Sequence, residues 1–477
     1  YNSLFDPKWS GNEKVFATSF LPLRYSVISK HPLFAKLYQN YYPFNGIDDL
    51  QGDLITHIEI KTEDGKRYVF GCPAINWLQK EVSFNVNDSL QQDDLPPAKL
   101  VSYTQNNDAS LNNKKGVNHY YSAKTIPPYV YAYHLTGAYS HDYQDLRGDG
   151  PTPDDPGNYI IFKYNHKINR YKWRSPMTDS PNYASLNPGN LAHKMDNTGT
   201  YAYGEKDIWY LDTVITKDEI AIFYTSSRKD GYEAGGEHGG LGNSSLHKLD
   251  SIVVYDYKDF MAHQQNPSKA IYPLKRIHFV YDYSLCGGVT NAKPAGTGKL
   301  TLKELHILEG PTYQMKKSVY RFEYSNINPP YNREHVDRWG EYRLSESQVG
   351  WLYPYTPQVF AEADSAAKAW KLTKIHTPGG GLIEVDYEPD DYAYVQNKRA
   401  MRMFRLSGIS NTLSAPGNPT GDLKDDSWLI FETDIPGSLP QTEAEALFSK
   451  YFEEDVTNNL YFKAYVRVSP DSGTSLI

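Results

Sequence analysis

The segment "HDYQDLRGDGPTPDDPGN", residues 141–158, gathers carboxylates into one short loop. Asp142, Asp145, Asp149, Asp154 and Asp155 supply oxygen ligands, and Gly148 and Gly150 permit sharp bends between them. Calcium takes about six to eight such oxygens on a flexible loop, so these five aspartates form a candidate Ca2+ site. The match to an EF-hand loop is partial. With Asp145 in the first position, Asp149 and Gly150 fall fifth and sixth, but Arg147 stands third and Pro156 twelfth. The bland alternative is a solvated acidic turn. Arg147-Gly148-Asp149 also matches an integrin-recognition tripeptide, a triplet short enough to arise by chance.

Other motifs point away from catalysis. "PAGTGKLTLKEL" (294–305) resembles a phosphate-binding loop only in its glycines. That motif needs Ser or Thr directly after the lysine and then a helix, whereas Leu300 follows Lys299 and "LTLKELHIL" alternates as a strand. "YEAGGEHGGLGNSS" (232–245) offers Glu237 and His238 on a glycine-rich loop. One histidine and one glutamate do not make a metal centre, and solvent exposure is expected for both. Glu388, Asp390 and Asp391 are near neighbours on one loop, whereas glycoside hydrolysis needs two carboxylates across a cleft, so they read as a surface acidic patch. HExxH and GxSxG motifs are absent from the sequence. "HVDRWGEYR" (335–343) reads as an architectural corner, with Arg338 pairing with Asp337 or stacking on Trp339. No catalytic residue and no organic cofactor is expected.

Bulk composition narrows the class further. The chain has 477 residues, enough for several domains. Its 49 Lys+Arg against 57 Asp+Glu give a net charge of -8, the wrong sign for a nucleic-acid binder. No apolar run approaches the roughly 18 residues of a membrane-spanning helix. The 41 tyrosines exceed phenylalanine and tryptophan together, 18 and 8, which favours strands and half-wet contact faces. Cys72 and Cys286 form no disulfide framework and read as buried thiols or as a single pair. The chain opens without methionine and closes on "VSPDSGTSLI", which reads as a segment of a longer polypeptide or a mature product.

The elements that must position these residues are mostly strands. "LITHIEIKTEDGKRYVFG" predicts a hairpin turning at Asp64-Gly65, and "EVSFNVND" and "YVYAYHLTGAYS" predict further strands. Residues 88–118 predict a long polar loop with at most one strand. The runs "IIFKYN", "VVYDYK", "FVYDYS", "YRFEYS" and "IEVDYE" each close on a tyrosine: Tyr164, Tyr257, Tyr283, Tyr324 and Tyr387. Several follow a Leu-x-x-Ile stretch, read as the partner strand of a hairpin. In "LTKIHTPGGGLIEVDYE" the glycines Gly379, Gly380 and Gly381 serve as a turn, because no helix follows them to make an anion site. Helices are predicted over 356–372 and 440–455 only. The expected fold class is mainly β, with multiple antiparallel hairpins and sheets, either a β-sandwich or a YD-shell-like sheet, and a few short helices. The expected domains are an N-terminal β-rich region at 1–124, a tyrosine-rich hairpin domain at 125–413, and the start of an α+β domain at 427–477.

The segments "YGEKDIWYL", "HFVYDYSLCGG", "GKLTLKELHI", "VDRWGEYR" and "LTKIHTPGGGLIEVDYEPDDYAYVQNKRAMRMF" resemble a class of giant secreted surface proteins of Bacteroidota, exported in a manner similar to type 9 secretion cargo. More distantly, the "LTKI…PGGG…VDYE" hairpin is similar to those of Rhs/YD-repeat proteins. The resemblance implies an extracellular or cell-surface location and a non-enzymatic structural role, building a self-associating appendage or adhesive structure. The partners it implies are further copies of the chain, neighbouring domains of the same long chain, and cell-surface glycans. The alternatives are a YD-like shell enclosing a toxin, or a glycan-binding module.

Overall fold

A computed structural model describes residues 55–390, apart from 87–98, 117, 188–196, 311–315, 337–340 and 345–359. It also describes the short stretches 23–24, 394–395, 398–399, 406–412, 428–431, 440–443 and 445. The architecture is mainly β, as the tyrosine-rich alternation predicts, with one large antiparallel sheet that does not close into a barrel.

The first half of the sheet contains β1 (Leu23–Arg24), β2 (Ile55–Lys61), β3 (Arg67–Phe70), β4 (Cys72–Asn85), β5 (Leu100–Ser102), β6 (Tyr121–Ile126), β7 (Tyr129–His134), β8 (Gly137–Tyr139), β9 (Tyr159–Ser175), β10 (Tyr183–Asn187) and β11 (Thr198–Ile215). The expected β2–β3 hairpin is present, with Lys61 opposite Arg67 and Gly65 at φ +81° in the turn. Gly65 accepts that left-handed angle at no steric cost. The second half contains β12 (Glu219–Ala234), β13 (Leu241–Asp256), β14 (Lys275–Leu285), β15 (Lys299–Glu309), β16 (Lys316–Tyr324), β17 (Leu372–His376) and β18 (Leu382–Glu384). Two separate ribbons follow, β19 (Tyr394–Val395) with β20 (Lys398–Arg399), and β21 (Leu406–Ser410) with β22 (Trp428–Phe431). The helices α1 (Tyr257–Gln265) and α2 (Phe360–Lys368) lie in connections.

Strand β11 is the hub. One edge pairs with β4 through Thr198–Lys206 and then with β12 through Thr213–Ile215. Its other edge pairs with β10 and then with β9. The sheet runs from β9 through β8, β3 and β2 to β1, while β6 and β7 line the far edge of β4. Beyond β12 the order is strictly sequential, each strand up to β18 pairing antiparallel with the one before it. The sheet crosses residue 124, because β4 and β11 share a ladder.

The core sits on the neighbouring strands β4, β11 and β10. Alternate residues Val82, Phe84 and Val86 bury with Tyr201, Tyr203, Ala184, Leu186 and Tyr103. The register places Val82 opposite Tyr201 and Phe84 opposite Gly199, where a Cβ would come within 2.9 Å of the Phe84 ring. Absence of that carbon is what lets the ring lie over β11. Tyr103 stacks on Tyr201 at 5.7 Å and 13° and tilts against Phe84 at 5.0 Å. A second cluster joins Cys286, Val289 and Ala292 to Trp370, which follows α2 and donates through Nε1 to Pro329 O at 2.9 Å. Both cysteines are free and buried.

Several local expectations differ. The Leu-x-x-Ile stretches before Tyr257 and Tyr283 are not partner strands. They belong to the same strands that carry the tyrosine runs, midway along β13 and at the start of β14, because each strand is longer than one motif. Tyr257 itself starts α1, whose N-cap Asp256 accepts from Asp259 N. Only "LTKI" is a separate strand, β17, turning through Gly380 at φ +85° into β18. Strand β18 ends at Glu384, and both of its apolar residues are half exposed, Leu382 at 49% and Ile383 at 51%. The polar 88–118 stretch holds one described strand, β5, and the 356–372 helix forms as α2. Of the 440–455 helix, 441–443 are helical and the rest lies almost entirely outside the described residues, as do Asp337, Arg338 and Trp339.

Candidate functional site

The acidic loop spans the connection from β8 to β9, and its aspartates take different roles. Asp155 is 1% exposed. Its carboxylate accepts from Leu146 N at 3.0 Å, Thr152 N at 3.0 Å and Tyr143 Oη at 3.2 Å. Those backbone donors, Leu146 first, hold the carboxyl below the usual aspartate range. Lys217, in the β11–β12 turn, donates to Asp155 O at 2.5 Å and ties the loop to the sheet. Asp145 accepts from Gly148 N at 2.7 Å and Gly150 N at 3.0 Å, which curls the tip. Asp142 accepts from Ser140 Oγ at 2.5 Å, and Asp154 pairs with Arg147 at 2.9 Å in solvent. Asp149 is exposed at the tip. The loop thus holds all five expected ligands, but as placed they do not converge. Among the described residues no group of three or more His, Cys, Asp or Glu stands close enough to hold a metal ion.

The glycine loop between β12 and β13 behaves unlike its composition. Gly235 N donates to Gly240 O at 2.8 Å, and the tip folds back onto the sheet instead of lying in solvent. Asn182 N donates to His238 O at 2.7 Å, and Gly239 bridges Pro181. Glu237 Oε1 accepts from Lys80 Nζ at 2.5 Å and from Tyr201 Oη at 2.8 Å. His238 Nδ1 meets Tyr103 Oη at 3.0 Å. Arg174, 5% exposed, donates to the carbonyls of Glu237 at 2.8 Å, Pro176 at 2.6 Å and Tyr183 at 2.6 Å, and lies 4.8 Å over the Tyr201 ring. Burial works to raise the Glu237 carboxyl, but the Lys80 and Tyr201 hydrogen bonds together outweigh it and hold it low. Burial lowers the His238 imidazole despite the neighbouring Glu237 charge. Burial first, and then Glu237, raises the Tyr201 phenol. The Glu237 carboxylate and the Arg174 guanidinium both meet protein partners, and these bonds lock the loop onto the sheet. Gly239 sits at φ +96°, and a Cβ there would come within 2.5 Å of Thr178 Oγ1, so the docking depends on glycine.

A third polar group lies under β7. Asp207, fully buried, accepts from Trp77 Nε1 at 2.8 Å and faces His166 Nε2 at 3.2 Å, while His166 stacks on Trp209 at 4.3 Å. Tyr131 Oη donates to Asp207 O at 2.6 Å, and burial with the Asp207 charge pushes that phenol up to about 12. The same two causes, burial first, push the Cys72 thiol up to about 12, which makes it inert as a nucleophile.

Against the docked glycine loop lies a cleft of about 460 Å³. It is framed by the 177–183 segment before β10, the β14–β15 connection and the 331–334 segment after β16. Arg333 joins two of these walls by donating to Met177 O at 2.5 Å, and Tyr331 N ties the third by donating to Gly287 O at 2.7 Å. Neither the cleft nor the Arg174 network was legible as a motif, since its residues are scattered over the chain. The one available signal was the glycine pair Gly239-Gly240, which marks a close backbone approach. No protein-family model and no curated protein matches the chain.

Proposed function

We propose that this chain is a non-enzymatic structural segment of a giant extracellular protein, one that builds a self-associating surface appendage or adhesive structure. One observation carries the reading: from β12 to β18 every strand pairs with its sequence predecessor, an extensible sheet with no closure. Such a meander is scaffold geometry, and β18, at the edge of the sheet among the described residues and with half-exposed Leu382 and Ile383, is the kind of strand that accepts a further one. The engagement of Glu237, Asp207 and Asp155 by protein donors supports a supporting role for these carboxylates over a reactive one.

Mass photometry and negative-stain electron microscopy of the purified chain test this. The expected result is a homo-oligomer or filament, with no turnover of oligosaccharides. A monomer at micromolar concentration, or hydrolysis of any glycan tested, would refute it. A hollow closed monomer would favour the toxin-enclosing shell instead.

A further inference from the structure

We propose that the cleft beside the docked glycine loop is a binding site for a neutral oligosaccharide. This goes beyond the scaffold role and does not depend on it. The chemistry of the walls carries the inference. Tyr183 and Tyr331, 37% and 38% exposed, line the cleft and keep ring surface available to solvent. Aromatic faces of this kind receive the apolar C–H face of a pyranose, as they receive other apolar surfaces. Asp179, Asn332, Arg333 and Glu334 line the same cleft. The carboxylates of Asp179 and Glu334 have no hydrogen-bond or ion-pair partner among the described residues. Carboxylates next to an amide and a guanidinium are the acceptor and donor set that vicinal hydroxyls require.

Two further observations fit a ligand. The charges balance, Lys99 and Arg333 against Asp179 and Glu334, which favours a neutral ligand over an anionic one. The walls are also preorganised. Arg174 fixes the carbonyls of Pro176 and Tyr183 on either side of the 177–183 segment, and Arg333 ties that segment to the opposite wall.

The test is isothermal titration calorimetry and saturation-transfer NMR on the whole chain. The probes are hexasaccharides of β-1,4-linked glucose, β-1,4-linked N-acetylglucosamine and α-1,6-linked mannose, with a heparin hexasaccharide as the anionic comparison. At least one neutral probe is expected to bind, and the anionic probe to bind more weakly. Tyr331→Ala and, separately, Glu334→Gln should each weaken that binding by about tenfold or more. Tyr272→Ala, at another exposed tyrosine outside the cleft, should leave it unchanged. Glu334→Gln keeps the shape of the side chain, so its effect does not depend on folding, and the melting temperature of each variant is measured alongside. No binding of any neutral probe, preference for the anionic one, or full binding by both cleft variants overturns the proposal. A monomeric chain that still binds through Tyr331 would refute the scaffold reading and leave the cleft standing.

Discussion

At the scale of single residues, Asp155 shows how an apparent ligand can serve as an anchor. Its burial and its donors from Leu146, Thr152 and Tyr143 make it the pin of the acidic loop, whereas Asp142, Asp149 and Asp154 stay in solvent. Asp155→Ala strands those donors, so a lower melting temperature is expected by differential scanning calorimetry with or without chelator. Asp149→Ala should leave the melting temperature unchanged in chelator. Calcium titration separates the two readings of the loop. If added Ca2+ raises the melting temperature of the parent chain and Asp149→Ala abolishes that rise, the carboxylates regroup around the ion. A flat titration leaves the hydrogen-bonded turn as the whole account.

The elements divide into a braced centre and an extensible end. Around β11 the chain pairs on both edges and buries Phe84 completely against the Tyr103–Tyr201 stack. Phe84→Ala deletes a fully buried ring from the core cluster, and a loss of about 3–5 kcal/mol in urea denaturation is expected. A loss below about 1 kcal/mol would mean that this stack is not the core. Past β12 the strands were legible because apolar and polar residues alternate with period two. Their lengths were not, because a tyrosine-ended motif does not mark where pairing stops. Strand β9 runs past Tyr164 to Ser175, and β18 stops short of Tyr387. Pairing partners set those ends, and a partner far along the chain leaves no local trace.

The whole molecule carries a pH signature from its half-buried histidines. Burial is the first cause that lowers the imidazoles of His57, His134, His238 and His247 below their ordinary 6.5. As pH falls below that value the unfolded chain takes up protons that the folded chain refuses, so stability decreases. Below the ordinary 4.5 of glutamate, the lowered Glu237 carboxyl adds a further loss as it protonates. Urea midpoints should therefore fall steadily between about pH 7.5 and pH 5. His238→Gln should flatten part of that slope, and a midpoint that rises toward pH 5 would contradict the burial of these rings.

The sequence by itself determined the strand class, the turns at Gly65 and Gly380, and the helical tendency of 360–368, because these depend on local alternation and on backbone angles that few residues tolerate. Only the tertiary structure decided that a glycine-rich loop with Glu237 and His238 would dock on Tyr103, Tyr201 and Arg174, and that Tyr183 and Tyr331 would face one cleft. Those meetings join residues tens to more than a hundred positions apart. They are fixed by which edges of β11 find partners, a long-range choice that no stretch of neighbouring residues encodes.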